Sequence, residues 1–207
     1  MDKNNLASYQ GRLESIRKEW DKAELDIKQA EQVCDEVVMP SIMELRYAGR
    51  RIAEILYLIN TGDPDNKIDG LLHDATFDCH RARHDAIDAA TAKIAADLAI
   101  ALKAIGPEAV LKACPSFPQI RKEVLDLRKK IKASRHHREN REAIYSVLED
   151  SDFIELCDSF GQFQASEDLM KELAANDRRA VFRSNVFGYG GIFIGAAGII
   201  VGIIIAA

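Results

Sequence analysis

The sequence predicts an all-α protein: an elongated antiparallel bundle of long helices with a C-terminal transmembrane helix. Three observations carry this expectation. Apolar residues recur at alternating spacings of three and four over long stretches, the signature of helices with one buried face. Glycine and proline are scarce, 12 and 5 of 207 residues, and half of the glycines fall after residue 187, so few turns interrupt the rest. The stretch Val186–Ala207 contains no charged residue.

The first helix is the clearest. Leu6, Tyr9, Leu13, Ile16, Trp20, Ala23, Ile27, Ala30, Cys34 and Val37 form one apolar row between charged faces. This is a coiled-coil-type seam, packed within the chain or against a partner protein. Pro40 is expected to end it. Ser41 and Glu44 then have capping-box spacing and open a second helix to about Asn60. After the turn TGDPDN a long helix is expected from about Asn66 to Ile105, stopped by Gly106-Pro107. A short helical piece follows to Cys114-Pro115. Another long helix starts near Pro118 and runs to about Glu149. The apolar piece FIELCDSF is expected to end at Gly161, and Ser166 to cap a last helix. The organisation this gives is a cytosolic bundle over residues 1–165, a juxtamembrane helix over 166–185 and a transmembrane segment over 186–207.

As a helix that last segment would span roughly 33 Å at ~1.5 Å per residue, enough to cross the hydrocarbon of a bilayer. Arg178, Arg179 and Arg183 precede it, and no basic residue follows. The positive-inside rule then keeps the long N-terminal part cytoplasmic and makes the chain a single-pass, tail-anchored membrane protein. The N-terminal residues have no apolar run of the kind a signal peptide needs. Gly188, Gly191, Gly195, Gly198 and Gly202 fall at alternating spacings of three and four, which puts all five on one helical face. Each glycine costs a helix about 1 kcal/mol. In a membrane that cost is offset where two backbones pack closely, so the row is the expected packing face of a homo-oligomer.

Two polar clusters are candidates for chemistry. In HDATFDCHRARHDAID, His80 and His84 stand one turn apart, a spacing that can share a metal. Glu44 or Glu54 of a neighbouring helix is a carboxylate able to complete such a site. The plainer reading makes His73, Phe77, His80, His84 and Ile87 a packing stripe. Asp74, Asp78, Arg81, Asp85 and Asp88 then become a solvated face with ion pairs along the helix. The second cluster lies in RKEVLDLRKKIKASRHHRENR, where basic residues far outnumber acidic ones. Its apolar row is broken by Ser134, Arg138 and Arg141. Arg135, His137, Arg138 and Arg141 are therefore candidate contacts for an anion, because a buried arginine needs a carboxylate or phosphate partner. Nucleic acid is a poor fit: the cluster lacks interleaved aromatic residues, and the chain carries a formal charge of −5.

No nucleotide-binding loop, nucleophile elbow, zinc-protease helix or EF-hand loop occurs. No cofactor is expected, and nothing in the pattern designates catalytic residues. The four cysteines, at 34, 79, 114 and 157, form no close pair and read as small core residues of a reducing compartment. The function these features point to is a self-associating, membrane-perturbing or pore-forming effector, although the tail has no polar face to line a stable channel. The alternatives are a tail-anchored scaffold that recruits a partner through its first helix, and a membrane-attached hydrolase using His80 and His84.

Overall fold

A computed structural model of the chain describes residues 5–62, 65–136, 141–148 and 152–180. Among these the chain is all-α, with no strand. The helices are α1 (Asn5–Cys34), α2 (Met39–Thr61), α3 (Asp65–Ala104), α4 (Pro107–Ala113), α5 (Phe117–His136), α6 (Arg141–Val147) and α7 (Phe153–Ala165). Residues 167–180 form a further helix, α8. No helix of the described residues is long and apolar enough to cross a membrane. The segment 186–207, with its row at Gly188, Gly191, Gly195, Gly198 and Gly202, lies outside the described residues.

Of the described residues, those in Met1–Ala99 and Pro118–Gly161 form one compact unit, and those in Ile100–Phe117 and Gln162–Ala207 form a second. The first unit is a helical bundle whose interhelical ion pairs fix its directions. Glu44, Arg51 and Glu54 of α2 pair with Arg81, Asp78 and Lys67 of α3 in descending order, so these two helices are antiparallel. Arg12, Glu19 and Asp26 of α1 pair with Asp69, His80 and Arg83 in ascending order, so α1 and α3 run parallel.

The row on α1 is used inside this bundle. Tyr9, Ile16, Ala23, Ile27, Ala30 and Cys34 are buried, while Leu6 at its start is half exposed. Trp20 lies over α2, where a Cβ added at Gly49 would meet its ring at 3.5 Å. The helix ends earlier than the sequence suggests. Asp35 adopts a left-handed φ of 56° and its N–H closes the last turn on the Glu31 carbonyl, so Val37 is exposed instead of extending the seam. Aspartate is among the few residues with a side chain that tolerate this conformation.

Pro40 has the opposite role from the one expected. It stands in the first turn of α2, where its missing N–H costs nothing and its fixed φ favours the helix. Ser41 is therefore inside the helix. No side chain caps α2, and the expected Ser41–Glu44 capping box is absent: Ser41 is fully buried and Glu44 turns to Arg81. Gly62 ends α2 with φ 76° and returns its N–H to Leu58, a left-handed cap that favours glycine.

Two further boundaries differ. Helix α7 does not stop at Gly161 but runs through to Ala165, since a buried face of Phe153, Leu156, Phe160 and Phe163 outweighs one glycine's propensity cost. Ser166 marks the start of α8, and its carbonyl accepts from Met170. Its hydroxyl, however, donates back to Gln162 of α7 at 2.9 Å instead of capping forward.

In the second unit, Phe117 and Phe163 meet ring to ring at 5.9 Å. Val110, Cys114 and Met170 are buried in it as well. Arg178 of α8 donates to the Ala104 carbonyl at 3.1 Å. A guanidinium on the last carbonyls of α3 satisfies a group the helix cannot, and it complements the negative end of the helix dipole.

Candidate functional site

Helix α3 carries the polar residues that organise the first unit. Arg83, almost fully buried, donates from Nη1 to Glu19 at 2.8 Å and from Nε to Asp26 at 3.2 Å. His80 Nε2 lies 3.3 Å from the same Glu19 carboxylate. Burial pushes the Asp26 carboxyl above its usual range, and the Arg83 charge opposes that rise. Asp78 is buried beneath Arg51, which donates to it at 2.6 Å and reaches Asp74 at 3.2 Å. Asp74 and Arg81 are half exposed, as a solvated face would be, but Asp78 is buried and all three pair with α2 instead of along α3. With His80 and Arg83 paired to α1 and Asp88 to α5, docking of those helices supplies partners from far along the chain.

His80 and His84 do not converge on one point. His80 faces Glu19 of α1. His84 is buried with its ring stacked on Tyr145 of α6, the centroids 3.7 Å apart and the planes 28° from parallel. Glu44 and Glu54 are engaged by Arg81 and Lys67. Among the described residues no group of three or more histidine, cysteine, aspartate or glutamate side chains is arranged to hold a metal ion.

The Tyr145 hydroxyl continues the chain of contacts, donating to Asp88 Oδ1 at 2.7 Å. Arg135 of α5 donates to Asp88 Oδ2 at 2.8 Å, and that bond raises the arginine above its ordinary value. Asp88 therefore ties α3 to both α5 and α6. Beside it, between α3 and α5, lies a cleft of about 520 Å³, within the range of small-molecule sites. Arg128, Lys129, Lys132 and Arg135 line one wall, Asp88 and Thr91 the other. Arg128, Lys132 and Arg135 are four and three residues apart, so they share one face of α5. Ser134, one of the polar breaks in the apolar row, is fully buried and satisfied, its hydroxyl donating to the Ile131 carbonyl at 2.7 Å. A second cleft of about 410 Å³ on α5 has mixed charge, with Lys130 already paired to Asp152.

Of the sequence-predicted anion contacts, Arg135 lies in the cleft. His137 and Arg138 lie outside the described residues, as does the side chain of Arg141 at the start of α6. Sequence reasoning missed Arg128, Lys132 and Thr91. The available signal was the spacing of Arg128, Lys132 and Arg135, which the surrounding run of lysines disguised.

All four cysteines are free. Cys79 is completely buried between these polar systems, and burial pushes its thiol up to about 12. Its folded value lies above the ordinary thiol value of 9.0, so the stability it contributes is complete below about pH 9 and declines as pH rises toward 12. The expected result is a parent protein that loses stability progressively above pH 9, with a shallower loss in Cys79→Ala. Urea midpoints measured across that range check it. At neutral pH, alkylation of Cys79 should require unfolding.

No protein-family model, curated protein or solved structure matches this chain.

Proposed function

We propose that this chain is a membrane-anchored helical effector whose apolar segment 186–207 self-associates in the bilayer and perturbs it. The observation that carries this reading is the row of five glycines within an uncharged stretch long enough to span. The arginines at 178, 179 and 183 favour a cytoplasmic position for the helical bundle. Perturbation through assembly fits a segment with no polar face better than a water-lined channel does.

The alternatives rest on residues with other commitments. A scaffold recruiting its partner through α1 would use a seam of which Tyr9, Ile16, Ala23, Ile27, Ala30 and Cys34 are buried within the chain. A hydrolase at His80 and His84 would need two side chains that face different helices.

The test separates insertion from association. Gly195→Ile adds a branched side chain where two backbones would nearly touch, yet isoleucine partitions favourably into lipid. The variant should remain in membranes but cross-link into smaller assemblies and release less dye from liposomes. Ile199→Leu, on another face, should match the parent. A chain ending after Arg183 should not pellet with membranes. A parent that releases no dye, or a Gly195→Ile variant that assembles like the parent, sinks the proposal.

A further inference from the structure

We infer that the cleft between α3 and α5 binds a phosphate monoester, free or as a lipid headgroup, held by Arg128, Lys132, Arg135 and Thr91. The inference stands apart from the membrane reading, because every residue it uses lies in the first unit.

Charge is the first support. Each of the other cations on this stretch of α5 has a carboxylate: Lys129 has Asp126, Lys130 has Asp152 and Arg135 has Asp88. Arg128 and Lys132 line the cleft without an ion pair among the described residues. Two like charges one helical turn apart repel and destabilise a helix slightly, so leaving both unpaired carries a cost that a bound anion removes.

The second support is Thr91 on the opposite wall. It is 1% exposed and its hydroxyl has no hydrogen-bond partner, although it lines the cleft. A buried hydroxyl left unmatched is destabilising, because it loses its hydrogen bonds to water without replacement. A ligand oxygen in the cleft gives this donor an acceptor.

Asp88 has its charge offset by the Arg135 guanidinium, and its other oxygen accepts from Tyr145. It fixes the Arg135 guanidinium at the rim, and the fork retains N–H donors beyond the one that Asp88 uses. The donor set is thus two unpaired cations, one held guanidinium and one hydroxyl. A dianion balances the two unpaired charges. Donors on opposite walls suit the several diverging oxygens of a phosphate better than the two coplanar oxygens of a carboxylate. Among the described residues no aromatic side chain lines the cleft, so none of them would stack a base.

The probe is glycerol 3-phosphate, titrated calorimetrically into the full chain reconstituted in phosphatidylcholine nanodiscs. The expected result is saturable binding. Arg128→Ala and Lys132→Ala should each weaken it by about tenfold, the loss typical of a charge-assisted contact. Thr91→Val, which keeps the shape and removes the hydroxyl, should weaken it severalfold. Lys122→Ala removes the same charge from α5 outside the cleft and should leave binding unchanged. Circular dichroism of each variant should match the parent. A second titration in nanodiscs containing phosphatidic acid identifies the source. Weaker apparent binding there means that a headgroup competes for the cleft, and unchanged binding means that the ligand is free in solution. No binding of glycerol 3-phosphate overturns the inference. So does equal weakening by Lys122→Ala, which would reduce the effect to net charge, and so does displacement by a single-stranded oligonucleotide with no effect from Thr91→Val.

Discussion

Arg83→Ala should destabilise the first unit by about 3–5 kcal/mol, the cost of removing one partner from a buried charge cluster. The Arg83 side chain is 5% exposed, and it holds Glu19 and Asp26, whose side chains are 18% and 9% exposed. Without it, Glu19 and Asp26, both on α1, keep only weaker counter-groups, Lys22 at 3.0 Å and His80 at 3.3 Å from Glu19. The pH dependence is specific. Burial already raises the folded Asp26 value, with Arg83 opposing it, so the variant's Asp26 rises further. A folded value above the unfolded one favours the folded state at lower pH. The deficit of Arg83→Ala relative to the parent should therefore shrink as the solution is acidified into the carboxylate range. Urea denaturation at several pH values measures both effects. A cost below about 1 kcal/mol at neutral pH would mean that the cluster behaves like an exposed surface pair.

The second large effect is expected at Tyr145. Its side chain is fully buried, stacks on His84 and donates to Asp88. Truncation to alanine opens a cavity of aromatic size and should cost about 3–5 kcal/mol. Tyr145→Phe keeps the ring and the stack. It loses the hydrogen bond to Asp88, which is itself partly exposed and still paired to Arg135, so it should cost about 1 kcal/mol. The difference between the two variants isolates the packing that holds α6 to α3. Chevron or equilibrium melts of both report it. Equal costs would place the stabilisation in the hydroxyl instead of the ring.

Much of the architecture was legible because apolar spacing is a local property. Helix α3 was expected over Asn66–Ile105 and is found over Asp65–Ala104, since the signal that stops it, Gly106-Pro107, sits in the sequence beside it. The seam of α1 was legible for the same reason. Misreadings arose where one residue has two local roles. Pro40 ends a helix in one register and begins one in another, and reading it as a terminator moved the start of α2 and invented a cap at Ser41. The polar run of α3 was the larger error. Asp74, Asp78, Arg81 and Asp85 at helical spacing look the same whether their partners lie along the helix or across the bundle. Only docking brings Arg51 to Asp74 and Asp78, and Glu44 to Arg81. The cleft was half legible: Arg135 was identified as an anion contact, while Thr91 is an ordinary helical threonine until α5 is laid against it.

The packing of Trp20 over Gly49 also gives the molecule a built-in reporter. Trp20 is the chain's only tryptophan and belongs to the first unit, at the contact of α1 with α2. Its emission follows the undocking of that one contact, while circular dichroism follows helices of both units. Superimposed transitions would establish a single cooperative melt, and a lag between them would date the loosening of one unit before the other.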